Sequence, residues 1–262
     1  MRTKKKNRLI KLLAAAIILA LAMTLPGIWR NVSFGWAERS GAEQTVKAYA
    51  DARGIAYSRY PESLIALLER NPETEEFVLN YPFREETEID MSAFDRSAGV
   101  PLMMQWDTRW GYIKYGADVV GLTGCGPVCL AMAGYYVTGD EIFAPDAVVE
   151  FALQNGYCSY GSGSSWTLIS EGGVKLGLDV TEIPLVKQRI MDNLEAGNPI
   201  ICVMGPGDFT TTGHFIVLTG TEDGKIRVND PNSYANSGRL WTYEEMESQF
   251  RNLWVIQKGA EE

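Results

Sequence analysis

The chain has one histidine, His214, and four cysteines in 262 residues. A single imidazole excludes a multi-histidine metal centre. Four thiols are too few for a scaffold built on disulfides. Positive charge is also scarce, and much of it sits at one end. The first 30 residues hold Arg2, Lys4, Lys5, Lys6, Arg8, Lys11 and Arg30 and no acid. Without those seven bases, 17 of the 24 Lys and Arg face all 33 Asp and Glu, a net charge of −16. Nucleic-acid binding needs clustered positive charge, so a body this acidic excludes nucleic acid as a partner. Repeats and low-complexity tracts are missing. What remains is 46% hydrophobic and 22% charged, the composition of a packed globular chain of one large domain or two small ones.

The N-terminus reads as an export element over residues 1–30. A basic head is followed by an apolar run from Leu12, in the order of a signal peptide. The run is 14 residues to Leu25 and 18 to Trp29, the second being the low edge of what crosses a bilayer. Weak cleavage sites at Gly35-Trp-Ala37 and Ser40-Gly-Ala42 lie far beyond Leu25, so length favours a membrane anchor over a cleaved signal. Either way the positive head stays in the cytoplasm and the acidic body goes outside.

Residues 31–98 read as a helical stalk or extension, with helices over 38–53, 61–69 and 73–79 and an irregular acidic stretch over 83–98. The main domain covers 99–258. Helices are expected over 124–138, 145–154, 164–176 and 186–196. Strands follow at 199–204, 214–219, 225–230 and 252–257, with a last helix over 243–250. Helices first and antiparallel strands after is the order of an α+β domain.

The segment Thr123-Gly-Cys-Gly-Pro-Val-Cys-Leu-Ala-Met132 carries the strongest chemical signal. Cys125 enters a buried helix at its N-terminus, where the partial positive charge favours a thiolate. Flanking glycines let a substrate backbone approach closely. The bland alternative is a structural buried cysteine. A thiolate nucleophile needs a base, and His214, opening the strand Thr212-Gly-His-Phe-Ile-Val-Leu218, is the one imidazole. The base needs an orienter. If the hairpin 214–230 is centred on Glu222, Leu218 faces Ile226, Ile216 faces Val228 and His214 faces Asp230. That register requires an odd-numbered loop, and a two-residue Asp223-Gly224 turn breaks it. Asn229 is the rival orienter, on the other face. An oxyanion needs donors. The Cys125 amide is one, and Gln105 is a side-chain candidate on chain proximity alone.

Taken together, Val100-Pro-Leu-Met-Met-Gln-Trp-Asp-Thr-Arg-Trp110, the Gly-Cys-Gly-Pro core and Gly213-His-Phe-Ile-Val with Asn229-Asp-Pro231 resemble the C-thirty-nine-like cysteine peptidases. These are papain-like enzymes related to the bacteriocin-processing, double-glycine peptidases. The likeness covers about residues 98–258, and Gly161-Ser-Gly-Ser-Ser-Trp166 fits its middle region. It implies a papain-like fold, a helical half with the cysteine packed on an antiparallel sheet half with the histidine. It further implies Cys125 as nucleophile, His214 as general base, Asp230 as orienter and Gln105 in the oxyanion hole. The expected activity is hydrolysis of a peptide or protein substrate by an exported cysteine peptidase, with no metal or organic cofactor. Val128 and Cys129 depart from the small hydroxyl residues common at their positions. Cys129 reads as core packing, with pairing to Cys158 or Cys202 the alternative in an oxidising compartment.

Three other chemistries are weak. A zinc site from the four cysteines and His214 has one loosely spaced pair. Gly161-Ser-Gly-Ser-Ser165 lacks the nucleophile-elbow pattern. Gly205-Pro-Gly207 lacks the third glycine of a dinucleotide loop. The serious rival is a non-catalytic papain-like module that binds a peptide or cell-wall ligand. It would not need Cys125 as a low-pKa thiolate.

Overall fold

The structure, a computed structural model, describes residues 40–85, 87–161 and 163–260. The export element and Ser162 lie outside the described residues. Contacts divide the chain into Met1–Gln44 and a compact unit, Thr45–Glu262, which runs through residue 98 without a break. Among the described residues no helix is long and apolar enough to cross a membrane.

Among the described residues, three α-helices precede the main body. α1 spans Gly41–Ala52, and the chain turns at Gly54 with φ +64°. α2 spans Glu62–Arg70 and buries Leu64, Ile65, Leu67 and Leu68, an apolar face at helical spacing. α3 spans Glu75–Asn80. Phe77 of α3 stacks on Tyr112 at 4.5 Å between ring centres. Its ring also lies over Gly111 and Gly121, where a Cβ would come within 2.7 and 2.4 Å of it. Side chains at either glycine would expel the ring, so these glycines are there for close approach.

α4 spans Cys125–Thr138 and is buried from Gly126 to Tyr135. Being apolar on every side, it runs through the interior. It stops at Gly139, whose φ of +72° is the left-handed turn that ends many helices. α5 spans Pro145–Gln154 and α6 spans Lys187–Glu195. The helix expected over 164–176 is a π-helical turn at Leu168–Gly172 followed by Gly173–Lys175. It starts late because Ser164 is taken into a two-stranded ribbon, paired with Cys158.

The sheet has six antiparallel strands: β1 Leu178–Glu182, β2 Ile200–Met204, β3 His214–Glu222, β4 Lys225–Asn229, β5 Leu240–Trp241 and β6 Phe250–Lys258. Their spatial order is β1-β6-β2-β3-β4-β5. β1 and β5 were not legible beforehand. The last helix ends at Met246 instead of 250. The Gln249 carbonyl accepts from Gly205 N–H at 2.7 Å, and Phe250 then pairs with Met204, which draws the chain into the sheet. The sheet is covered on both faces. Val203, Phe215, Val217 and Trp254 pack with α4 and α5, while Cys202, Ile216, Leu218 and Val228 pack with Ile190 and Leu194 of α6.

The β3–β4 hairpin corrects the expected register. Its turn is the two-residue Asp223-Gly224, with φ of 51° and 72°, pairing Glu222 with Lys225. Carried along the strands unbroken, that turn would put His214 and Asp230 on opposite faces. A bulge at Thr219 absorbs one residue, so Leu218 pairs with Val228 and Val217 with Asn229. Parity is restored. Ile216 falls opposite Asp230, and His214 lies one diagonal step away on the same face.

Candidate active site

Cys125 is partly exposed at the first position of α4. The short helix Val120–Thr123 and Gly124 precede it, so its amide is among the first-turn N–H groups that lack an intrahelical acceptor. Gly126 follows because a Cβ there would stand 2.6 Å from Ser164 Oγ. The α4 N-terminus therefore presses against the ribbon Cys158–Ser159/Gly163–Ser164.

His214 opens β3 and is 8% exposed. Its Nε2 lies 2.7 Å from Asp230 Oδ1, which leaves Nδ1 for the hydrogen bond to Cys125. Asp230 is 1% exposed. Its carboxylate also accepts from the Asn232 N–H at 2.9 Å and from Asn236 Nδ2 at 2.8 Å. Asn229 points to the other face, where Nδ2 donates to the Val100 carbonyl at 3.0 Å. The parity of the bulged hairpin thus decides between the two orienters for Asp230.

Electrostatics follow from this packing. Burial pushes the Cys125 thiol up, but the hydrogen bond and charge of His214, with the N–H groups of Phe215 and Gly126, outweigh it and bring the thiol below its ordinary value. Burial pulls the His214 imidazole down, and the Asp230 carboxylate and Cys125 more than reverse that, raising it to about 10. The arrangement favours a thiolate beside an imidazolium. Cys129, one turn deeper, is pushed well above the ordinary range by burial and by the negative charge of its neighbours. All four cysteines are free thiols, and Cys129 and Cys202 are buried.

Gln105 is 3% exposed and lies at the same cleft as Cys125 and His214. Its backbone N–H donates to the Pro231 carbonyl at 2.7 Å. Its Nε2 donates one hydrogen to the Gly121 carbonyl at 2.9 Å, leaving a second N–H. The cleft holds about 650 Å³ and is walled by residues that include Asn71, Gly163, Asp208 and Thr211. A larger cavity of about 860 Å³, lined by Arg59, Arg84 and Lys114 among others, contains none of the four residues singled out above. Volume alone would have pointed away from these four residues. Among the described residues no group of three or more His, Cys, Asp or Glu is placed to hold a metal.

The structure therefore brings Cys125, His214 and Gln105 to one cleft, with Asp230 buried behind His214. Sequence reasoning missed Asn236, Gly121 and the Phe215 N–H. Asn236 sits six residues past Asp230 in the short helical turn Tyr234–Ser237, and nothing in its local pattern signals a carboxylate partner.

The profile of the Peptidase_C39 like family matches residues 97–262. The chain belongs to that family. Solved structures similar to it include the peptidase domain of Streptococcus ComA, a bi-functional ABC transporter involved in quorum sensing. That pair shares 20% identity with a TM-score of 0.41, over 61% of this chain and 98% of the other. A C-thirty-nine-like peptidase from Bacillus anthracis shares 15% identity with a TM-score of 0.36, over 62% and 96%. No curated protein matches the chain. Membership makes the matched body a C-thirty-nine-like peptidase module, and its helical half against an antiparallel sheet half is the α+β arrangement expected.

Proposed function

We propose that the protein is an active cysteine peptidase that hydrolyses peptide bonds through Cys125, His214 and Asp230. The single observation that carries this is the contact chain at the cleft. A helix-N-terminal thiol meets His214, whose far nitrogen is 2.7 Å from a buried carboxylate. The Cys125 thiolate attacks the substrate carbonyl carbon, and a C–S bond forms as the carbonyl electrons move to oxygen. The Cys125 amide and the second Gln105 N–H hold that oxyanion. The His214 imidazolium gives its proton to the leaving nitrogen as the C–N bond breaks, leaving a thioester. Neutral His214 then takes a proton from water, whose oxygen attacks the thioester and releases the carboxylic acid and the thiolate. Asp230 keeps the imidazole oriented and stabilises its charged form.

The basic head and apolar run of residues 1–30 support export of this body, with the segment as anchor or signal. Incubating the chain with a mixture of unlabelled peptides and reading products by mass spectrometry tests the reading. Cleavage that disappears in Cys125→Ala is expected; cleavage that survives this change refutes it.

A further inference from the structure

The family match begins at residue 97, yet Leu67, Arg70 and Asn71 line the cleft together with Cys125 and His214. All three come from the end of α2, outside the matched body. Their placement is fixed by several ties to the residues around the site. Asn71 Nδ2 donates to the Asn232 carbonyl at 2.6 Å, two residues past Asp230. The Glu73 carboxylate accepts the backbone N–H groups of Tyr234 and Ala235 at 2.7 and 3.0 Å. Phe77 seats on Gly121, whose carbonyl holds Gln105. This segment stands beside the cleft as a rigid wall and leaves Cys125 partly open.

The Arg70 side chain is exposed and has no hydrogen bond or ion pair among the described residues. The acid on the cleft lining, Asp208, is engaged by Gln249 Nε2 at 2.7 Å. An unengaged guanidinium on the wall of a cleft, in a body with a large excess of acid, is set to receive a carboxylate in a two-pronged hydrogen bond.

We propose that Leu67–Asn71 forms a specificity wall supplied from outside the family match, and that Arg70 selects peptides presenting a carboxylate to it. The proposal rests on the peptidase reading above. The carboxylate belongs either to an Asp or Glu side chain or to the peptide C-terminus.

The test is cleavage-site profiling of a randomised decapeptide library by the full chain, the library made once with free C-termini and once amidated. For the wild type, products enriched about two- to fivefold in Asp or Glu at one fixed position, as suits an exposed charge pair, support the side-chain source. A similar preference for the free acid over the amide supports the C-terminal source. Either preference should disappear in Arg70→Gln, shift toward Lys and Arg in Arg70→Glu, and shrink at high salt. Profiles identical in all three proteins overturn the proposal while leaving the peptidase reading intact. Faster cleavage of every peptide alike in both variants also overturns it, because the wall would then only obstruct. No cleavage by the wild type overturns the peptidase reading and this proposal with it.

Discussion

The helical and sheet halves of the site are built by different means. On the helical side, Cys125 gets its position, its free amide and part of its charge environment from residues within a few places of itself. On the sheet side, His214 and Asp230 are 16 residues apart, and they meet only because Thr219 bulges. A nucleophile at a helix start is a local construction. A base and its orienter across a hairpin form a register construction, and register is set wherever the strands gain or lose one residue. The first half tolerates distant change; the second is one residue away from failure.

The largest expected effect belongs to the local half. Cys125→Ala should abolish cleavage, a loss on the order of 10⁶-fold where a nucleophile is removed from such a unit. The thermal midpoint should hardly move, because Cys125 is partly exposed and Ala suits a helix. Unchanged turnover would break the mechanism outright. Deleting Thr219 tests the register half. The hairpin then runs from the Asp223-Gly224 turn with no residue over: Gly220 stays opposite Arg227 and Leu218 opposite Val228, so His214 and Asp230 keep one face and activity should survive. Inserting one residue between Ile216 and Val217 instead puts His214 and Asp230 on opposite faces; activity should be lost, and the thermal midpoint should drop as Ile216 leaves its core. An active, stable insertion variant would show that parity along the hairpin does not set the pairing.

The same division explains what the sequence made legible. The α4 boundaries were readable because Gly139 and the Gly-Cys-Gly-Pro entry are local signals. Four strands were readable as apolar runs. β1, Leu178–Glu182, was not, because as an edge strand it has only Leu178 buried and lacks a run. The hairpin centre was misplaced because parity was assumed to be constant along it. Asp-Gly is a strong two-residue turn signal, and taking it at face value would have argued against Asp230. The right partner was reached through a register that the structure does not use. Nothing local to Leu218-Thr219-Gly220 announces the bulge; the packing of Ile216, Leu218 and Val228 into one core enforces it. The role of α2 in the cleft was hidden for a similar reason. Asn71 and Asn232 are 161 residues apart and meet only in the folded chain.

Asp230→Ala is the next test of the sheet half. The orienter is worth less than the nucleophile, so a loss of about 10⁴-fold in kcat is expected with little change in KM. Asn236→Ala removes one of the three donors to Asp230 and should cost far less. If both cost equally, the carboxylate acts through its hydrogen-bond cage more than through His214. Gln105→Ala should lower kcat by about 10²- to 10³-fold, the range for one oxyanion donor. The Gln105 side chain hydrogen-bonds to the Gly121 carbonyl and to neither partner of the thiolate–imidazolium pair, so alkylation of Cys125 should be unaffected. Slower alkylation would move Gln105 from transition-state binding to the support of α4.

The smallest effect separates the two halves most finely, because it reads the charge of the pair without turnover. The Cys125 thiol is held below its ordinary value while His214 is raised to about 10. Between these two values the pair is thiolate and imidazolium. As pH falls through the lowered thiol value, Cys125 takes up its proton and alkylation slows. As pH rises through about 10, His214 loses its proton and can no longer protonate a leaving amine. Peptide cleavage should therefore fall on both sides, whereas alkylation should fall only on the acid side. In His214→Ala the thiol keeps only the help of the Phe215 and Gly126 amides and of the helix N-terminus against the cost of burial. Its alkylation profile should move to higher pH, slowing the reaction at pH 7 on the order of tenfold. A profile that stays in place would mean the helix terminus alone activates the thiol, and the sheet half would then serve proton transfer only.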